Sequence, residues 1–257
     1  MLKITKNFYI RSLALAGAIA LANPSSPTPV RAEAKSLQSI PLEWNHNSPD
    51  FSEDGRPKRT AGGASRSGCQ NKSNLPLTAL IPNTSVALTA AKSPTFWFYL
   101  PYTLTPKHSV EFVLKDSQDK YIYRTKLTGK ETSPGIVGLR LPTTVSIDAE
   151  QDYNWYFLVY CQPQNPAKFI YLSGSLRRID RPYLNSSLKF PSPKERLYFY
   201  ATEGLWHDAV THLAEQMRAN SQDAAIQNDW AGLLQSVGLE ELAKEPFVDR
   251  YLTQSKQ

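Results

Sequence analysis

The chain has 257 residues, room for one large domain or two small ones. With 41% hydrophobic, 11% aromatic and 20% charged residues, it can build a core, which excludes a disordered chain. No run reaches the roughly 18 apolar residues of a spanning helix, which excludes a polytopic membrane protein. The formal charge is +6, but Lys3, Lys6, Arg11 and Arg31 precede any acid, so the chain beyond residue 32 carries only +2. A nucleic-acid partner is therefore not expected. The remainder is uneven: residues 75–181 carry +4 and residues 182–257 carry −3, a weak docking preference once salt screens it.

The N-terminus reads as an address. Lys3, Lys6 and Arg11 form a basic region, Leu13 to Ala22 an apolar one, and Val30-Arg31-Ala32 a small-residue cleavage site. Residues 1–32 are read as a signal peptide cleaved after Ala32, with Ala22 and Ala34 as alternatives. Export to a periplasm, an outer-membrane face or the medium follows, as does a mature chain with no transmembrane segment. Such compartments permit disulfides.

Residues 33–74 are rich in Pro, Ser, Gly and charge and show no period, so they read as a flexible leader. The segment Gly55 to Cys69 contains Arg56 and Arg66 in a glycine-rich setting, which suits an anion. It has no Walker ending and no preceding strand, so a basic linker is the plainer reading.

Residues 75–181 are a run of strands. Leu75–Ile81, Thr95–Leu100, Val110–Leu114, Tyr121–Leu127, Ile136–Leu141, Tyr153–Cys161 and Phe169–Ile179 are apolar, β-branched or alternating, with turn residues between them. This predicts a mainly β fold: an antiparallel, immunoglobulin-like β-sandwich of about seven strands. In the longest run Tyr153, Trp155, Phe157, Val159 and Cys161 share one apolar face. Cys161 is then a buried half-cystine with Cys69 as partner, closing a loop of 92 residues. The chain-entropy model assigns such a loop about 4–5 kcal/mol.

Residues 182–257 change period. Ser192-Pro193-Lys194-Glu195 is a helix start, and that helix should reach Glu203 and stop at Gly204. Ala209, Val210, Leu213, Ala214 and Met217 mark a second helix, and Ile226, Trp230, Leu233, Leu234 and Val237 a third. Leu239–Glu245 reads as a short fourth. The four form a small helical bundle packed on the sandwich.

Signals of catalysis are absent from the sequence. There is no Gly-x-Ser-x-Gly elbow. Ser117-Gln118-Asp119-Lys120 matches Ser-x-x-Lys but lies on a hairpin turn. Asp208 and His212 share a helix face near Glu215, which could hold a surface metal but reads as a solvated polar face. Glu111 is a lone strand acid, and glycosidase chemistry needs two. No catalytic residue, metal ligand or cofactor is assigned. The aromatics remain. Thr95–Leu100 and Tyr153–Cys161 must present Trp97, Tyr99 and Tyr156 on one or other sheet face, as core beneath the helices or as a binding surface.

Taken together, Gly55-Arg56-Pro57 through Gly62-Gly63 to Cys69, Leu77 to Pro82, Pro94 to Tyr102, Glu111 to Leu114, Pro134 to Val137, Tyr153 to Phe157 and Gly204-Leu205-Trp206-His207-Asp208-Ala209 resemble the largely cyanobacterial domain of unknown function 928 family, over roughly residues 55–247. The resemblance implies a secreted or envelope-associated protein without assigned activity and carries over no catalytic residue. Lys58 and Ala64 depart from the family pattern in the glycine-rich loop.

The resulting expectation is an exported, non-catalytic envelope module that binds another protein. The candidate contacts are Trp97, Tyr99, Tyr156, Arg56 and Arg66. A carbohydrate- or lipid-binding module is the alternative and a hydrolase a minor one. The hydrolase would require a cleft with converging Asp, Glu or His.

Overall fold

The computed structural model describes residues 61–62, 73–83, 86–105, 109–128, 133–162, 164–165, 167–180, 190 and 192–248. The predicted signal peptide, most of the predicted leader, and Arg56, Arg66 and Cys69 lie outside them.

Among the described residues the strands form two sheets. Strands β1 (Ala61–Gly62), β2 (Leu77–Ala79), β4 (Thr95–Leu100) and β7 (Gly135–Arg140) lie in the order β1-β2-β4-β7, all antiparallel. Strands β3 (Ala87–Thr89), β9 (Phe169–Arg178), β8 (Asp152–Tyr160), β5 (Ser109–Asp116) and β6 (Tyr121–Thr128) form the second sheet in the order β3-β9-β8-β5-β6. The fold is mainly β, with α-helices at its C-terminal end.

The expectation of an all-antiparallel sandwich requires correction, because β3 runs parallel to β9 and makes the second sheet mixed. A parallel pair normally needs a helical crossover, and no such helix is legible between residues 75 and 181. Here the connection from β3 to β9 is made by the strands of both sheets. The shortest strands gave no signal, since three residues at Ala87–Thr89 and two at Ala61–Gly62 are too few to show a period. Ala61 and Gly62 pair with Thr78 and Leu77, so part of the segment read as leader belongs to the sheet.

Period 2 holds where the strands are long. In β8, Tyr153, Trp155, Phe157 and Val159 are buried, while Asn154, Tyr156, Leu158 and Tyr160 are half-buried. The β5–β6 hairpin turns at Asp116–Lys120: the Asp116 carboxylate accepts from the Gln118 and Lys120 backbone N–H at 2.9 and 3.0 Å. Asp119 adopts φ +65° there, a conformation its short polar side chain tolerates.

The sheets meet through aromatic rings. Phe98 of β4 stacks on Phe157 of β8 with centroids 4.0 Å apart, and Phe96 tilts on Phe112 of β5 at 4.8 Å. Both Phe96 and Phe98 meet the edge of Trp155. The inward positions of β4 are therefore Phe96 and Phe98, which sends Trp97 and Tyr99 to the opposite side.

That opposite side is covered by the C-terminal elements. Helix α1 (Pro193–Thr202) starts as its sequence predicts, with a reciprocal bond pair between Ser192 and Glu195 and Pro193 at its first position. Helix α2 (Trp206–Ala219) and helix α3 (Ala224–Gln235) follow, α3 capped by the Asp223 carboxylate. The predicted fourth helix is a single 3₁₀ turn at Glu240–Leu242, since seven residues before Pro246 are too few to sustain an isolated α-helix. The last described segment then joins the four-stranded sheet. The Ile136 N–H donates to the Pro246 carbonyl at 2.7 Å, and the Val248 N–H to the Ile136 carbonyl at 3.1 Å. No helix among the described residues is long and apolar enough to cross a membrane.

Candidate binding surfaces

Three consecutive side chains at the start of α2 fasten the helices to the sheets. The Trp206 indole N–H donates to the Leu80 carbonyl at 2.7 Å. His207 Nδ1 lies 3.3 Å from the Thr95 carbonyl. The Asp208 carboxylate oxygen Oδ2 accepts from the Thr89 hydroxyl at 2.8 Å and the Ala90 N–H at 2.9 Å. Each bond reaches a different β segment, so the Trp-His-Asp run acts as a docking key. This corrects the reading of Asp208 and His212 as a solvated face: Asp208 is tied to the β3–β4 loop, and His212 Nε2 meets the Pro193 carbonyl at 2.8 Å.

Around this key lies a cleft of about 320 Å³, lined by the β3–β4 loop, the end of β7, and α1 and α2. Asp208, His207, His212 and Glu215 converge on it, the geometry a hydrolase would require, but most of that polar capacity is already engaged. Glu215 pairs with Arg140 at 2.5 Å. Among the described residues no cluster of three or more His, Cys, Asp or Glu could hold a metal ion.

Burial holds His207 neutral, its pKa brought down to about 4, while burial pushes the Asp208 carboxyl up to about 6 against the Ala90 N–H, the Thr89 hydroxyl and its own backbone N–H. These shifts act on stability with opposite sign. Folded His207 binds fewer protons than the unfolded chain between about pH 4 and 6.5, so its contribution is lost as pH falls through that window. Folded Asp208 binds more protons between about pH 4 and 6, so its contribution is gained as pH falls. The two offset each other in the parent chain. Asp208→Asn should unmask His207 and steepen the acid loss by up to about 1.4 kcal/mol per pH unit. Denaturant unfolding between pH 4.5 and 7 checks this, and an unchanged pH profile would contradict it.

The second surface is the outer face of the five-stranded sheet. Here Lys115 of β5 lies over two rings, 4.9 Å from the Tyr121 centroid and 5.9 Å from that of Tyr156. Lys126 lies 5.5 Å over Tyr160, and Arg124 5.8 Å over Tyr121. Tyr160 packs on Phe169 at 5.6 Å, and Phe169 on Tyr171 at 6.1 Å. At the centre the buried Glu111 carboxylate pairs with Arg124 and accepts from the Tyr160 hydroxyl at 2.7 Å. Burial and that carboxylate push the Tyr160 pKa up to about 12, so its hydroxyl stays protonated. Tyr121, 56% exposed, and Phe169, 40%, are the large hydrophobic side chains most open to solvent among the described residues.

The sequence-predicted aromatics thus separate. Trp97, 1% exposed, donates to the Thr211 hydroxyl at 3.0 Å and packs edge-on against Phe247. Tyr99 is fully buried and its hydroxyl donates to Ser73. Trp97 is core beneath α2 and Tyr99 is core beside Ser73, and neither offers a ligand a ring face. Tyr156 alone of the three lies on the open sheet face. Sequence reasoning missed Tyr121, Tyr160 and Phe169 there. Their strand alternation carried the signal, because β8 residues one apart from the buried Trp155 must face outward. Cys161 follows the last residue of β8 and is half-buried against the core rather than fully buried.

A family model described as Domain of Unknown Function (DUF928) matches residues 61–247. None of the curated proteins matches the chain.

Proposed function

The chain belongs to the Domain of Unknown Function (DUF928) family, and on that premise we propose that it is an exported, non-catalytic module of the cell envelope that binds another protein. The observation that carries this is the asymmetry of the two sheets. The helices and the C-terminal segment cover the outer face of the four-stranded sheet, while the five-stranded sheet keeps a face of Tyr121, Tyr156, Tyr160 and Phe169 interleaved with cations. Tyr and Arg are enriched where proteins meet proteins. The cations lie over ring faces that a sugar would need for stacking, which favours a protein partner over a glycan on this surface.

Export and the fold's staple belong to the same reading. The bond proposed between Cys69 and Cys161 would tie the segment before β2 to the end of β8. Intact mass of the non-reduced mature chain should be about 2 Da below that of the reduced chain, and reduction should cost about 2–5 kcal/mol of stability. Two alkylatable thiols without reduction would refute the bond.

The binding face is tested by a Tyr121→Ala, Phe169→Ala double variant. Both side chains are exposed, so the thermal midpoint should stay within a few degrees of the parent while envelope-partner binding weakens by roughly 100-fold or more. Unchanged binding would remove the face from the interaction.

A further inference from the structure

We propose that the cleft between α2 and the β3–β4 loop is a second binding site, one that takes a neutral polyhydroxyl ligand the size of a single sugar ring. Its polar groups form an unusual set. A carbonyl only accepts, so His207 Nδ1 carries the proton towards the Thr95 carbonyl, and Nε2 keeps a bare lone pair. His207 is 2% exposed, and Nε2 has no hydrogen-bond partner among the described residues. Asp208 Oδ2 accepts from Thr89 and Ala90, and its own backbone N–H also bonds the carboxylate, which still leaves capacity among the group's roughly four lone-pair sites. These are two acceptors.

Two donors line the same cleft. The Thr211 hydroxyl accepts from the Trp97 indole, so its own hydrogen points elsewhere. The Arg196 guanidinium reaches the rim from an exposed position on α1. Tyr200, packed edge-on against His212 at 6.1 Å, adds an aromatic wall.

This set selects by chemistry. A phosphate or carboxylate would turn its lone pairs towards the His207 and Asp208 acceptors. An ammonium would satisfy those acceptors but confront Arg196. Hydroxyl groups on adjacent carbons donate and accept together, and so answer all four groups at once. The volume of about 320 Å³ lies at the small end of ligand clefts, roughly 300–1,000 Å³, which suits one ring and not a chain. The site lies apart from the open sheet face, so it stands or falls independently of the protein-binding reading.

The test uses the full mature chain, with calorimetry and imidazole ¹⁵N NMR. The probes are glucose, galactose, mannose and N-acetylglucosamine, with glucuronate and inorganic phosphate as anionic arms. At least one neutral sugar should saturate in the millimolar range and shift the His207 Nε2 resonance. Arg196→Ala, at an exposed position, should weaken that binding roughly tenfold or more without lowering the thermal midpoint, and the Tyr121→Ala, Phe169→Ala variant should leave it intact. The proposal is overturned if no neutral sugar binds, if only glucuronate or phosphate does, or if binding leaves His207 and the Arg196→Ala affinity unmoved.

Discussion

Gly174→Ala is expected to destabilise the fold by about 3 kcal/mol, at the upper end of what overpacking a core costs. Gly174 lies directly across the ladder from Trp155. A Cβ at position 174 would fall 2.5 Å from Trp155 Cζ2 and 2.8 Å from Cε2. The indole cannot retreat: it is fully buried, with Phe96 and Phe98 edge-on at 6.0 and 5.7 Å, and interiors this dense do not yield cheaply. Gly232→Ala is the matched control. That residue lies inside α3 with nothing within 4 Å of the added methyl, so helix propensity should stabilise the chain by about 0.5–1 kcal/mol. Denaturant unfolding of the pair should move the midpoints in opposite directions.

Trp206→Ala should be costlier still, about 3–5 kcal/mol. The indole is fully buried and is the first of the three side chains that fasten α2 to the sheets. Trp206→Phe separates the contributions: it keeps most of the packing but leaves the Leu80 carbonyl without its indole donor, for about 1–3 kcal/mol. Loss of this key should also loosen the layer it holds. Hydrogen exchange should then quicken along β4 and α2 before it does in β8, which packs between β5 and β9. Equal acceleration everywhere would mean that the helices and sheets open as one unit.

The parts of the fold that were legible in sequence were those with a period of their own. β8 reads correctly because Asp152 to Tyr160 alternate over nine residues, and α1 because Ser192, Pro193 and Glu195 specify its start locally. The parallel β3–β9 pair was not legible, since its register joins Ala87 to Leu176 across the whole β region. The cleft was hidden for a similar reason. Asp208 and His212 look like a polar helix face until the loop at Ala90, 118 residues earlier in the chain, is laid against them. Trp97 and Tyr99 were ambiguous because a continuous aromatic run supplies both faces of a strand, and only the position of α2 decides which face is core. The open face could have been read from the same rule that placed Trp155 inside, applied to Tyr156 and Tyr160.

The central claim is that this face of the five-stranded sheet is where the protein meets its partner. Site-specific photo-crosslinking in intact cells tests it most directly, with benzoylphenylalanine placed in turn at Tyr121, at Phe169 and, as a control on the helical side, at Glu240. Positions 121 and 169 should each yield the same discrete protein adduct, one that Lys126→Glu diminishes, while position 240 yields none. Adducts from position 240 alone, or none from the sheet face while the partner remains bound, would contradict the account.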